Sequence, residues 1–548
     1  MSTQQAFEAL CDEIIAADFR RWPEFATASG VHEYDGQVTD HSPAAFQASI
    51  RERAGLVRRL EGTDAGGLDD RQRLDRALLL ASMREGLIYD EQMRIHERSP
   101  AEALDRFGWG LLDLVRRNFA PAEHRMRDLV SRLEQFGKIA HDVRQRVTEP
   151  SAIPIDIALS SLKDTIPFFR DTLPRALPEV TDDALRTRLR DEAAKVCEEC
   201  ERLAAWLQEV KPDAHAPYAI GAEAYEASLK QAELVDLSLS KVLAAGEAEL
   251  RRLTEEFTDT ARRVDPSRPA REVYEDLAAD HPPADKLIEF TESMLEDLRG
   301  FCVDKEILTF PGEDRCKVEP TPEFFRELTF ASMDTPGPLE QTAREAYYNV
   351  TTPLPEWDEE RTEQHMRAYN RWALASVSIH EAYPGHYTQF MWQYLWPSRV
   401  RKLYGGYSAA EGWAHYVEEL FVELGYLDGD PRFKLGQLEE ALLRACRYVV
   451  GIGLHTGEMT FEQGVRLFEE NGHMEHVNAE RETRRGTVDP MYCNYTLGKL
   501  MLLKLRADYL SAHPGAPLKQ FHDAFLALGY PPIPLVRQSL LGEVGSIL

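Results

Sequence analysis

Apolar residues recur at intervals of three and four along most of this chain. From the start to about residue 300, nearly every segment carries an apolar stripe with polar faces around it, the pattern of an amphipathic helix. The run TDDALRTRLRDEAAKVCEECERLAAWLQEV is representative, with Thr181 expected to cap its start. Breaks such as GTDAGGLDD, TEPSAIP and VKPDAHAPYAIG punctuate these helices. The texture changes around 301 to 355. There CVDKEILTF and REAYYNVTTP place aromatic and β-branched residues between Pro and Gly turns, so a small strand element is expected. Helices resume from about 358, the RAYNRWALASVSI run among them. There is no internal repeat, and no alternation of strands with helices to support a Rossmann or barrel reading. The pattern therefore predicts a mainly α protein with a small β-sheet beside the chemistry, divided into a helical region 1–300 and a region 301–548.

Composition narrows the partners. Across 548 residues, Lys+Arg 64 stand against Asp+Glu 93, a formal charge of −29, which argues against nucleic acid or an anionic membrane surface. The N-terminal stretch MSTQQAFEALCDEIIAADFRRWPEF has no basic segment followed by an apolar run, so a cytoplasmic location is expected. Seven scattered cysteines do not form a disulfide framework. Cys197 and Cys200 make a C-x-x-C inside a Glu-rich helical stretch and are read as plain helix residues. A homodimer is only the base-rate expectation for a large helical enzyme.

The densest chemistry lies at HEAYPGHYTQ, residues 380 to 389. A zinc-protease signature places two histidines four apart on one helical face, with a glutamate following the first. Here Pro384 occupies the fourth position and the next histidine is His386. On a regular helix six residues would turn His386 about 120° away from His380. Pro384 removes an N–H and clashes with the preceding turn, while Gly385 tolerates backbone angles that other residues avoid. Together they either open a bulge of about two residues that returns His386 to His380, or simply stop the helix.

A catalytic zinc site needs a third protein ligand. Downstream, SAAEGWAHYVEELFVELG places Glu411, His415 and Glu418 on one flank of an apolar helix. Ser408 and Glu411 also fit a capping box, which would give Glu411 a purely structural role. On these residues alone, Glu418 and His415 are rival ligands or supporting partners. Arg484 and Arg485, in ERETRRGTVDP, could receive the terminal carboxylate of a substrate or could be solvated surface charge. The AYYNV strand with Tyr348 could pair with an extended peptide.

With HEAYPGH followed by EGWAHYVEEL, the chain resembles the bacterial domain-of-unknown-function family number 885. Weaker matches run from WPEFATASGVHEYDGQVTDHS through GLHTGEMTFEQ to VDPMYCNYTLGKL. That family is similar to the carboxypeptidase Taq group of zinc peptidases, which implies a large, helical zincin-like metallopeptidase fold around a deep groove. The resemblance implies that His380, His386 and Glu411 hold one Zn2+ per chain and that Glu381 is the general base. It leaves His415 and Glu418 as supporting residues. His455 and Tyr495 match the family's C-terminal motifs and are candidates to stabilise the oxyanion. Thr460 to Gln463 reads as a capping box, which places His455 in the connection before that helix. The expectation is a zinc-dependent exopeptidase acting on short peptides. The alternatives are a metal-dependent amidohydrolase on a non-peptide substrate and a helical binding protein with a vestigial metal site.

Overall fold

The computed structural model describes residues 2–322 and 330–548. The fold is mainly α, and the sheet of the described residues has three short strands: β1 (Lys317–Pro320), β2 (Ala331–Asp334) and β3 (Tyr347–Val350). The strand order is β1-β3-β2, with β1 parallel and β2 antiparallel to β3. The AYYNV segment supplies β3 as its residue types predict. CVDKEILTF does not form a strand; it completes the helix Leu287–Asp304 and continues as an irregular segment.

The contacts divide the chain into two compact units. One comprises the residues up to Ile220 together with Pro336–Arg344; the other holds Gly221–Pro322, β2 and Glu345–Leu548. The division falls at 220, because the helices Leu239–Val264 and Leu287–Asp304 bury their apolar faces against elements of the second unit. In the first unit, the long helix Asp183–Val210 presents Leu185, Leu189, Val196, Cys200, Leu203 and Leu207 to the core. Its cap is Asp182, whose carboxylate accepts from the N–H groups of Ala184 (3.0 Å) and Leu185 (3.1 Å), one position after the expected Thr181. Cys197 and Cys200 are buried free thiols of this helix.

The segment Pro336–Arg344 joins β2 to β3, yet it packs within the first unit. Leu339 N–H donates to the Ser29 carbonyl at 2.9 Å, and the His32 ring contacts Glu340 Oε2 at 2.8 Å. A Cβ on Gly337 would lie 2.3 Å from the Ala28 carbonyl oxygen, so the backbones meet at a distance only glycine permits.

In the second unit, the helix Tyr407–Glu423 packs along Asn494–Ala512, most closely where Gly412 meets Gly498. A Cβ on Gly412 would sit 2.5 Å from the Gly498 carbonyl carbon. The run expected as one helix through RAYNRWALASVSI is two: Glu359–Ala368 and Arg371–Glu381. Asn370 breaks it by capping the second helix, its side chain accepting from Trp372 N–H (3.2 Å) and Ala373 N–H (3.0 Å).

Candidate metal centre

His380 lies in the last turn of Arg371–Glu381, and His386 opens the next helix, His386–Gln393. Between them the ladder is interrupted. The N–H groups of Ala382 and Tyr383 both reach the Ser378 carbonyl, and Gly385 N–H reaches back to the Ile379 carbonyl at 3.0 Å. The Tyr383–Pro384 peptide is cis, and the Pro384 carbonyl accepts from the Trp413 indole at 2.9 Å. A Cβ on Gly385 would lie 1.8 Å from the His380 carbonyl oxygen, so this turn excludes any side chain there. The two histidine rings come back together, centroids 4.8 Å apart and nearly perpendicular.

Glu411 is not committed to a helix cap. The helix begins at Tyr407 after Gly406, no side-chain cap forms, and Ser408 bonds the buried Glu233 through both its N–H (3.2 Å) and its hydroxyl. The expected capping box is therefore replaced by a long-range contact. Glu411 Oε2 lies 3.4 Å from His380 Nε2 and 3.5 Å from His386 Nε2, and this buried oxygen has no hydrogen-bond donor. The ligand atoms of these three residues all fall within 4.8 Å of one another. Four ligands about 2.1 Å from a tetrahedral zinc are separated by about 3.4 Å, so the donor set and its spacing fit that ion.

The supporting contacts fix the rings. His380 Nδ1 meets Glu418 Oε1 at 2.7 Å and His386 Nδ1 meets Gln389 Oε1 at 3.0 Å, so both Nε2 atoms face Glu411. Glu418 also accepts from the Ser376 hydroxyl (3.1 Å) and faces Arg444 at 3.5 Å. Burial and Arg444 depress the His380 pKa, but Glu411 and Glu418 outweigh both and lift it to about 9. Burial pushes the Glu411 carboxyl up, and the two imidazoles hold it well below the usual range. His415 is fully buried, its Nδ1 3.6 Å from Glu418 Oε1; burial and then Lys499 push its pKa down to about 4.

Glu381 follows His380 directly, and its carboxylate accepts the Met333 N–H of β2 at 3.0 Å. The strand beside Glu381 is thus β2, an outer strand. Tyr348 lies on β3, paired on both sides and fully buried with its hydroxyl 3.2 Å from Ser378 Oγ. The expectation that AYYNV accepts an added peptide strand is corrected: β3 has no open edge. Tyr495, in the first turn of Asn494–Ala512, accepts from the Tyr407 hydroxyl at 2.9 Å. Burial and then the Glu411 carboxylate raise its pKa, which places it in the field of the cluster.

His455 is not in a connection. It occupies the last turn of Pro431–Thr456, fully buried, with Nε2 2.7 Å from the Gly486 carbonyl, while the Thr460 capping box forms as expected. Of the two arginines, Arg484 pairs with Glu480 on its own helix at 2.7 Å. Arg485 is half exposed, 3.8 Å from Asp489 and 5.3 Å from the Tyr492 ring. Sequence reasoning missed Arg444 and Arg447. Arg447 grips Glu482 with two bonds, 2.8 and 3.0 Å, and stands 5.7 Å from the Tyr495 ring. Two arginines inside the apolar run ALLRACRYVVGIGLH were the available signal.

No curated protein matches the sequence. Two solved structures share its fold along nearly their whole lengths. One, from Shewanella oneidensis, is provisionally described as a lipoprotein of unknown function. It is 24% identical with a TM-score of 0.81, covering 99% of this chain and 100% of its own. The other, from Colwellia psychrerythraea and provisionally described as a lipoprotein, is 19% identical with a TM-score of 0.83, covering 98% and 99%. The profile of the family described as "Bacterial protein of unknown function (DUF885)" matches residues 23–540, and the chain belongs to that family.

Proposed function

We propose that the chain is a zinc-dependent hydrolase of peptide bonds, with His380, His386 and Glu411 holding one zinc ion and Glu381 serving as general base. The observation that carries this reading is the convergence of two imidazole nitrogens on one donorless carboxylate oxygen at 3.4 and 3.5 Å, with a glutamate next in sequence to the first histidine. A bound zinc ion supplies Lewis acidity at such a site.

The chain's own groups account for the remaining tasks. Glu381 takes the proton of the attacking water and delivers it to the leaving amine. Its bond to Met333 N–H holds the carboxylate beside β2, so a peptide lying along that outer strand would present its backbone to the base. Glu418 and Gln389 fix the imidazoles, and Tyr495, backed by Tyr407, offers a hydroxyl to the developing oxyanion. Arg485 is the better placed of the two arginines for a terminal carboxylate, since Arg484 is tied to Glu480. These features favour a carboxypeptidase or dipeptidase acting on short peptides, in keeping with the likeness to the carboxypeptidase Taq group. Cell fractionation separates the cytoplasmic location from the envelope location that the two provisionally described lipoproteins raise.

Digestion of a peptide library with and without a chelator, read by mass spectrometry, tests the reading. The expected result is trimming from one end that the chelator abolishes. Internal cuts would overturn the exopeptidase assignment. Complete absence of cleavage would favour a non-peptide amide substrate or a binding protein.

A further inference from the structure

In the first unit, four buried nitrogen atoms on neighbouring elements lie without hydrogen-bond partners: Nε and Nη2 of Arg146, Nε of Arg106 and Nδ1 of His96. Arg146 ends the helix Phe136–Arg146, Arg106 lies on Ala101–Arg116, and His96 sits in the short turn Ile95–Glu97. Phe46 joins His96 to Arg146, and Glu102 lies between Arg106 and Arg146. The Phe46 ring centroid is 4.1 Å from that of His96 and 5.3 Å from the Arg146 guanidinium carbon. Arg106 covers the Trp22 ring at 3.9 Å. Arg146 keeps only 6% of its surface exposed and His96 only 3%, so bulk water does not solvate these donors freely.

The neighbouring charges do not neutralise both arginines. Asp90 is engaged by Arg21 (3.0 Å) and Arg53 (3.1 Å), and Asp18 faces Arg53 at 3.4 Å. Glu102 bonds Arg106 at 2.8 Å and stands 3.9 Å from Arg146 Nη2, beyond hydrogen-bond range. Asp105, the next carboxylate on that helix, is directed to Ser161. Glu97 pairs with Arg94 and stands 3.6 Å from His96 Nε2. His41 contacts Arg146 Nη1 at 3.0 Å and cannot supply a negative charge. Two guanidinium groups therefore share one carboxylate.

The unmatched atoms of Arg146 share one edge of the guanidinium. Nε–H and the adjacent Nη2–H point in parallel, the fork that receives two oxygens of one anion. Arg447 uses this same edge on Glu482 in the second unit. We propose that Arg146, Arg106 and His96 form a binding site for a small oxyanion, a carboxylate or phosphate group, in the first unit. Burial and Arg146 hold His96 at about 4, so its ring is uncharged at neutral pH and donates from Nδ1 in the Nδ1–H tautomer.

The test is calorimetric titration of the full chain, in low-chloride buffer at matched ionic strength, with inorganic phosphate in one arm and acetate in the other. Saturable one-to-one binding of either anion is expected, and the arm that binds identifies its chemical source. R146M should weaken it by about tenfold or more, and R106Q by several-fold. Because R106Q alters a side chain that is partly exposed, it keeps the test decisive if R146M does not fold. H380A should leave anion binding unchanged, which separates this site from the proposed metal centre. Absence of saturable binding of both anions to the wild type would mean that water alone meets these donors, and would overturn the proposal. So would unchanged affinity in both variants.

Discussion

The helix Tyr407–Glu423 carries two buried clusters of charge, and adjacent residues lead into them. Glu419 turns to Lys499, which is fully buried. Lys499 Nζ lies 2.9 Å from Glu419 and 2.6 Å from Glu249, and Arg252 binds Glu249 at 2.7 and 2.8 Å. Two cations and two carboxylates close on one another at hydrogen-bond distance. Glu418 turns the other way, to His380, and there the three central groups stop at 3.4 and 3.5 Å around an oxygen with no donor. Buried charge is common to both clusters, at Lys499 and Glu249 in one and at His380 and Glu418 in the other. Spacing separates a set of groups that satisfies itself from one whose distances match the edge of a coordination tetrahedron.

The largest test of that contrast is removal of a proposed ligand. H380A and E411A should each lose stoichiometric zinc, measured by elemental analysis after dialysis; retained metal in both would place the two clusters in the same class. E381Q should keep its metal and lose about 10²- to 10⁴-fold in peptide turnover, and undiminished turnover would remove Glu381 as base. In the other cluster, K499M should destabilise the fold by about 3–5 kcal/mol in urea unfolding while leaving metal content untouched.

The same cluster has a pH signature. Although burial pushes upward, Arg252 and Lys499 bring the Glu249 carboxyl from 4.5 down to about 2. Its contribution is therefore complete above 4.5 and is lost as pH falls toward 2, because the unfolded chain binds the proton first. The loss amounts to about 3 kcal/mol, and K499M should flatten that slope in urea unfolding measured across the window. The smallest effect is expected from E418Q, a weakening of zinc affinity by about 10- to 100-fold in competition with a chromophoric chelator.

What the sequence showed of this site was local chemistry. Pro384 and Gly385 signal a broken helix by themselves, and the histidines on either side supply the reason to look there. The mainly α fold and a small sheet near 301–355 were legible in the same way, from periodicity and β-branched residues. What stayed hidden depended on partners far along the chain. Ser408 looked like a cap for Glu411 because Glu233, 175 positions away, is invisible to a local pattern. The AYYNV strand was readable, but its central place depended on its pairing with both β1 and β2. Arg444 and Arg447 stand out locally as charges in an apolar run, but their roles emerge only through Glu418 and Glu482. His455 was misplaced because Pro431–Thr456 continues through it to Gly457.

The route of residues 336–344 sets a rule for dissecting this protein into fragments. A gene cut after Ile220 would encode most of the first unit but omit the strip of chain that His32 and Ser29 hold through Glu340 and Leu339. Such a fragment would expose the backbone surface around Gly30 that Glu340 otherwise covers. Supplying that strip in trans as a synthetic peptide, or grafting it onto the fragment's end through a flexible linker, is the way to recover the unit in isolation.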